Sequence, residues 1–145
     1  APLDRIRDEM GADVAQIVED LSDSLEDTST TDKEDWEVRK PRYLATLALA
    51  QRASLEVSLA DKVHNAQSIL KDYKKKGEEL WDRFNKPAEY QLWYYRKLAG
   101  LFTMRLPAHP LTPVLDDTVA ELTALVRETT PEIDAKVIKV SGDLG

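Results

Sequence analysis

The chain contains no cysteine. Disulfides, thiolate metal sites and a cysteine nucleophile are therefore excluded, and the absence fits a cytoplasmic location. Histidine occurs twice, at His64 and His109, too far apart in sequence to form a His-Glu-x-x-His zinc-protease helix. Glycine is scarce, at 5 residues, and none of them forms a glycine-rich phosphate loop or a serine nucleophile elbow. Apolar runs of about 18 residues, the length that spans a bilayer, are missing, so no membrane helix is expected. The N-terminus lacks a basic segment followed by an apolar one, so no secretory signal is visible in this chain. Basic charge is the minority sign, with 20 Lys and Arg against 27 Asp and Glu and a net charge of −7. A nucleic-acid binder shows a basic patch or stripe. The one dense basic run, Lys71 to Lys76, is broken by Asp72 and Tyr73 and reads as a solvated helix end, so no nucleic-acid partner is expected.

What is present is enough for one core. The chain has 145 residues, of which 42% are hydrophobic, the scale of a single domain. Alternating strand patterns and two-residue hairpin signals are absent, as is any repeat at a fixed period. Apolar residues instead recur at three and four, and the fold class expected is all-α.

Pro2 to Met10 reads as a short helix ended by Gly11. Asp13 caps a second one, whose stripe is Val14, Ile17, Val18, Leu21 and Leu25; Asp13 with Gln16 is a variant of the capping box. Glu26 to Asp35, acidic and rich in Ser and Thr, reads as a loop. Trp36 opens a helical region running to about Arg52, with Tyr43, Leu44, Leu47 and Ala48 inward. Pro41 predicts either a fresh helix start or a kink there. Ser54 to Leu70 follows as one helix with apolar residues on more than one side, the pattern of a helix at the centre of a bundle. It fades in Lys71 to Lys76, and Gly77 breaks it. Glu78 to Phe84 is a shorter helix carrying Leu80 and Trp81. Pro87 precedes a strong helix, Tyr90 to Leu106, which Pro107 and Pro110 stop. Leu115 to Val126 is the last helix expected. Residues 129–145 read as a trailing segment, with Val137, Ile138 and Val140 able to dock on something.

Asp61 and Asn65, four apart on the central helix, are the sharpest polar constellation, and Ser68 lies on the same face. A carboxylate sunk in such a helix is costly unless paired, hydrogen-bonded or on a metal. Spacing alone leaves two readings open. The pair either bonds a neighbouring helix or forms a metal-binding carboxylate with an amide that orients a ligand. An oxygen ligand of that kind suits Mn, Mg or Fe, or Zn alongside histidines. His64 reads as a structural histidine bonded locally, and His109, between two prolines, as a surface residue. Glu19, Asp20 and Asp23 read as a solvated face. Trp93-Tyr94-Tyr95 reads as core, with one ring available to line a pocket.

The heptad Leu59-Ala60-Asp61-Lys62-Val63-His64-Asn65 resembles the Leu-Ala-Asp-Lys-Leu-His-Asn signature of HD-domain phosphohydrolases of the RelA/SpoT hydrolase type. Val14 to Asp23 is similar to the helix that follows the catalytic His-Asp in small single-domain members, and Arg39 to Leu44 to their Arg-Lys-x-x-Tyr-Leu segment. Asp72-Tyr73, Leu80-Trp81, Arg83-Phe84-Asn85 and Gln91 to Arg96 fall in family order. The resemblance covers roughly residues 3 to 106. It implies an HD-like helical bundle over residues 1–128 with a tail over 129–145. It also implies a metal-dependent, hydrolytic removal of the 3′-pyrophosphate from guanosine alarmones, typically with Mn, by a metal-activated water. By the same resemblance Asp61 is the metal ligand and catalytic carboxylate, and Asn65, Ser68 and Lys62 are nucleotide contacts.

The departures bear on that expectation. The family's first metal-binding His, its His-Asp pair and the following Glu-Asp have no counterpart here; in the family they lie upstream of the position matching Ala1. The resemblance therefore implies a bundle incomplete at the N-terminus, carrying part of an active site and inactive alone. The missing part is expected in a preceding segment or in a partner such as a second copy. Gln67 stands where many members carry Arg. The alternative from another class is a non-catalytic nucleotide- or protein-binding module derived from the same fold.

Overall fold

The computed structural model describes residues 33–84 and 86–144, with side chains from Trp36 onward. The two helices expected over Pro2 to Met10 and from Asp13, and the acidic cluster Glu19, Asp20 and Asp23, lie outside the described residues. Those described are mostly helical, as the 3.6 periodicity predicts: α1 (Lys33–Ala48), α2 (Arg52–Lys76), a 3-10 helix (Gly77–Arg83), α3 (Ala88–Arg105), α4 (Leu111–Thr129) and α5 (Ile133–Leu144). No strand occurs among them. The all-α class is thus observed. Among the described residues no helix is long and apolar enough to cross a membrane.

α1 begins three residues before Trp36, so the end of the expected acidic loop is helical. Pro41 neither starts the helix nor divides it; α1 runs through it. Proline has no N–H to give to the carbonyl one turn back, and the packing of both halves of α1 carries the helix across that lost bond. The buried side is Trp36, Arg39, Lys40, Tyr43 and Leu47. Leu44 and Ala48, expected inward, are only half-buried.

α1 leaves its last carbonyls to a side chain. The Arg105 guanidinium, from the end of α3, donates to the carbonyl oxygens of Leu47 at 3.4 Å, of Ala50 at 2.9 Å, and of Ala48. Orphan carbonyls at a helix end need such a donor, and a cation there also meets the negative end of the dipole.

α2 buries Ser54, Leu55, Ser58, Leu59, Lys62, Val63, Ala66, Ile69 and Tyr73. These recur at three and four, so the buried stripe is one face. Val57, 45% exposed, and Ala60 lie outside it, and α2 is not enclosed by the described residues. Gly77 ends it at φ 64°, the one positive φ among the described residues, with its N–H on the Tyr73 carbonyl. A side chain is strained in that conformation, which is why glycine stands there. Lys74, Lys75 and Lys76 occupy the last turn, as expected of a helix C-terminus, and Lys74 reaches Glu121 of α4 at 2.6 Å.

The hub is α3. It packs against α1, α2, α4 and α5, and Leu92, Trp93, Tyr94, Tyr95, Leu98, Ala99 and Phe102 are all buried along it. Each large apolar side chain enclosed in this way stabilises the fold by about 1.5–3 kcal/mol relative to exposure. Among the described residues this aromatic helix is therefore the central one, with Ser54 to Leu70 packed beside it. α4 is longer than expected at both ends and lays Leu115, Val119, Leu122 and Val126 on α2 and α3. The expected trailing segment is α5, which docks Ile133, Val137 and Val140, chiefly on α3; Ile138 stays 71% exposed. Asp134 at its start accepts from Arg127 at 2.8 Å and Arg96 at 2.7 Å, so one carboxylate joins α3, α4 and α5.

Two stability measurements test these joints. Arg105→Ala is expected to lower the urea-unfolding free energy by about 2 kcal/mol, the scale of charge-assisted bonds to carbonyls. Arg105→Lys should restore less than half, since an ammonium cannot fork across several oxygens; unchanged stability in Arg105→Ala would show that water serves those carbonyls equally well. The Asp134 carboxyl is held down to about 2, first by its hydrogen bonds to Arg127 and Arg96. Its folded pKa is depressed, so its contribution is present above the unfolded carboxylate pKa of about 4 and fades as pH falls to about 2. Asp134→Asn should thus be less stable than the parent at pH 7 and approach it near pH 2. A constant difference across that window would contradict the joint.

Candidate functional site

α2 sets the candidate residues by its pitch. Asp61, Asn65 and Ser68, at i, i+4 and i+7, share one face, which is the side of α2 away from its buried stripe. The Asp61 side chain is 50% exposed, so it is not sunk in the bundle as the apolar surroundings in sequence suggested. Asn65 Nδ2 donates to Asp61 Oδ2 at 3.4 Å, a long bond that orients the carboxylate along the helix. Asn65 and Ser68 are half-buried. Lys62 is enclosed, at 1% exposure, with Nζ 3.7 Å from Asp61 Oδ2. It therefore lies beneath the carboxylate, while Asp61, Asn65 and Ser68 border the surface.

Around Lys62 the structure assembles a group that spacing did not single out. Lys62 Nζ lies 5.2 Å from the centre of the Tyr43 ring and 5.7 Å from that of Tyr94. Lys40 Nζ lies 4.7 Å from the Tyr94 ring. The Tyr43 hydroxyl and Ser58 Oγ are 2.8 Å apart, joining α1 to α2. Further along, Lys86 is ion-paired with Glu37 and sits 4.6 Å from the Tyr90 ring. Trp36 packs edge-on to Tyr90 and Tyr94, at 5.8 and 6.2 Å. Arg39, Lys40, Lys62 and Lys86 are all buried here. A buried cation is costly unless compensated, and the negative face of an aromatic ring is one compensation. The signal available in sequence was the interleaving of cations and aromatic residues at helical spacing: Trp36, Lys40 and Tyr43 on α1, Tyr90 and Tyr94 on α3.

Tyr95 reports on the same region. Burial pushes its phenol pKa up strongly, and the negative charge of Asp61 pushes it further, followed by Tyr43. Tyr95 is thus a neutral phenol at any physiological pH. Trp93, Tyr94 and Tyr95 are all core, as expected, and Trp93 also borders an open trough between α1 and α3. His64 is exposed. His109 is half-buried rather than a plain surface residue, and its Nδ1 accepts the Leu111 N–H at 3.1 Å, closing the turn into α4.

For a metal ion the described residues supply one part. Asp61 offers a carboxylate oxygen at the surface, but no group of three or more His, Cys, Asp or Glu side chains comes together among the described residues. One carboxylate does not hold a divalent ion by itself, so further donors would have to come from elsewhere. Comparison with protein-family models and with curated proteins finds no match to this chain.

The Asp61–Tyr95 coupling can be measured. In an alkaline titration followed by phenolate absorbance, with Tyr95→Phe as the reference, Tyr95 is expected to ionise above the ordinary phenol range. Asp61→Asn should bring its ionisation to lower pH, because the removed charge opposed the phenolate. No change in Asp61→Asn would separate the two residues electrostatically.

Proposed function

We propose that this chain carries part of the site of a metal-dependent phosphohydrolase acting on guanosine 3′,5′-bis(diphosphate)-like nucleotides. The observation that supports it is the α2 face: a half-exposed carboxylate, Asp61, oriented by Asn65 one turn on and backed by the Lys62 ammonium. That arrangement lies in the segment whose sequence resembles the signature of HD-domain hydrolases of the RelA/SpoT type. In this reading Asp61 gives one oxygen to a divalent ion, Mn in the family, whose other ligands come from outside the described residues. The bound ion would supply a water of lowered pKa and offset charge developing on phosphorus.

The chain's own residues have simpler tasks. Asn65 fixes the carboxylate and leaves its amide oxygen for the nucleotide. Ser68, one turn further, offers a hydroxyl at the edge of the same face. Lys62, named with them as a nucleotide contact, adds its positive charge from beneath Asp61. Lys40, enclosed nearby on the Tyr94 ring, adds a second positive charge in a chain of net charge −7, and local positive charge draws polyphosphates.

A second reading takes the same α2 face, with Asp61, Asn65 and Lys62, as part of a module that binds a nucleotide or a protein without hydrolysis.

The test is Mn-dependent conversion of ppGpp to GDP and pyrophosphate, run on this chain and on the full product of its gene, with nucleotide binding measured alongside. Turnover that Asp61→Ala reduces by at least about a thousandfold supports the hydrolase. Full activity in Asp61→Ala sinks the assignment of that residue. Binding without turnover in either protein supports the second reading.

A further inference from the structure

α4 starts between two prolines, and its first turn then depends on one residue. A helix leaves its first N–H groups without an intrahelical acceptor. At the start of α4 those positions are Pro110, Leu111, Thr112 and Pro113. The prolines carry no N–H, so two donors remain, and both reach His109. The Thr112 N–H donates to the His109 carbonyl oxygen at 3.1 Å, and the Leu111 N–H donates to the imidazole Nδ1 at 3.1 Å. Backbone and ring of His109 together cap the helix.

The ring bond is conditional on a proton. Nδ1 accepts only through its lone pair, so the imidazole is held neutral with its proton on Nε2. A proton added at Nδ1 turns the acceptor into a donor aimed at another donor. It also sets a cation at the positive end of the α4 dipole. The Thr112 bond to the His109 carbonyl does not titrate, nor does the Thr112 hydroxyl bond to the Leu106 carbonyl at 2.7 Å. Packing adds little in this turn: Leu111 and Val114 are only partly buried, and full enclosure begins at Leu115.

The charged groups at this end of the bundle are engaged elsewhere. Arg105, at the end of α3, is turned onto the carbonyls of Leu47, Ala48 and Ala50. Arg52 and Glu56, at the start of α2, are paired with each other at 2.7 Å. Asp116 and Asp117 are exposed and lie more than one turn further along α4. His109 itself is half-buried, so solvent protons reach it.

We propose that His109 is a proton-operated cap. Neutral, it closes the turn from α3 into α4; protonated at Nδ1, it releases the first turn, Leu111 to Val114. The cap's contribution is present above the ordinary histidine range, about pH 6.5, and is lost as pH falls below it. The device stands apart from the Asp61 face and does not depend on what that face binds.

The test compares the parent chain with His109→Asn, whose side-chain oxygen can accept the N–H two residues on without titrating. Exchange of the Leu111 amide is followed by NMR at pH 7.5 and 5.5 and corrected for the intrinsic rate. Protection in the parent should fall about fivefold or more on acidification, and in His109→Asn it should stay within about twofold. His109→Phe, with no acceptor, should show low protection at both pH values. His64→Gln, which removes the other histidine, should behave as the parent does. No fall in the parent, or an equal fall in His109→Asn, overturns the proposal. So does a Leu111 amide as protected in His109→Phe as in the parent at pH 7.5, or a fall that His64→Gln abolishes. Ring nitrogen shifts showing the neutral His109 protonated at Nδ1 would overturn it as well.

Discussion

Two ammonium groups meet on one ring. Lys40 from α1 and Lys62 from α2 lie 4.7 and 5.7 Å from the centre of the Tyr94 ring on α3. All three side chains are buried. Cations enclosed among apolar side chains are tolerated only where fixed partners compensate the lost water. The ring is such a partner, and it holds its position because α3 is buried on several sides. The register of α1 and α2 against α3 is therefore constrained by charge as well as by volume. A slide by one turn toward Leu98 would leave an ammonium group against an aliphatic side chain.

The remaining joints follow from that hub. Arg105 at the far end of α3 satisfies the last carbonyls of α1, so the two helices are held both mid-length and at an end. Between those holds the trough opens, because Gly100 offers no side chain to close it. On the other side, Asp134 binds Arg96 and Arg127 together and seats α5. Asp61 stands at the margin of this frame. Its neighbours are donors, Asn65 beside it and Lys62 beneath. A group so placed is suited to meet a cation or a ligand donor, and it bears little of the fold's stability.

Much of the local structure was legible from residue type. Gly77 and the three lysines before it announced the end of α2, and Pro87 and Pro107 bracketed α3, because each acts through its own backbone or through the helix dipole. Pro41 left a fresh start or a kink open, and the continuous α1 rules out the fresh start. α5 was missed as a helix because its short apolar stripe is marginal alone and becomes stable only against α3. The Asp61–Asn65 pair was legible as a shared helix face, whereas its half-exposed setting was not. Burial depends on which other helices reach that face.

What the sequence by itself determined is the set of segments that become helices, where most of them stop, and which residues lie in line along each one. Those properties come from periodicity, glycine, proline and terminal charge, all within a few residues of each other. Only the tertiary structure decided that α3 is the hub of the described helices, that Lys40 and Lys62 share one aromatic ring, and that a trough separates α1 from α3. Each of these depends on contacts between residues far apart in the chain. Several apolar faces of similar composition compete for the same partners, and the choice is made by volume and by the compensation of buried charge across all helices at once.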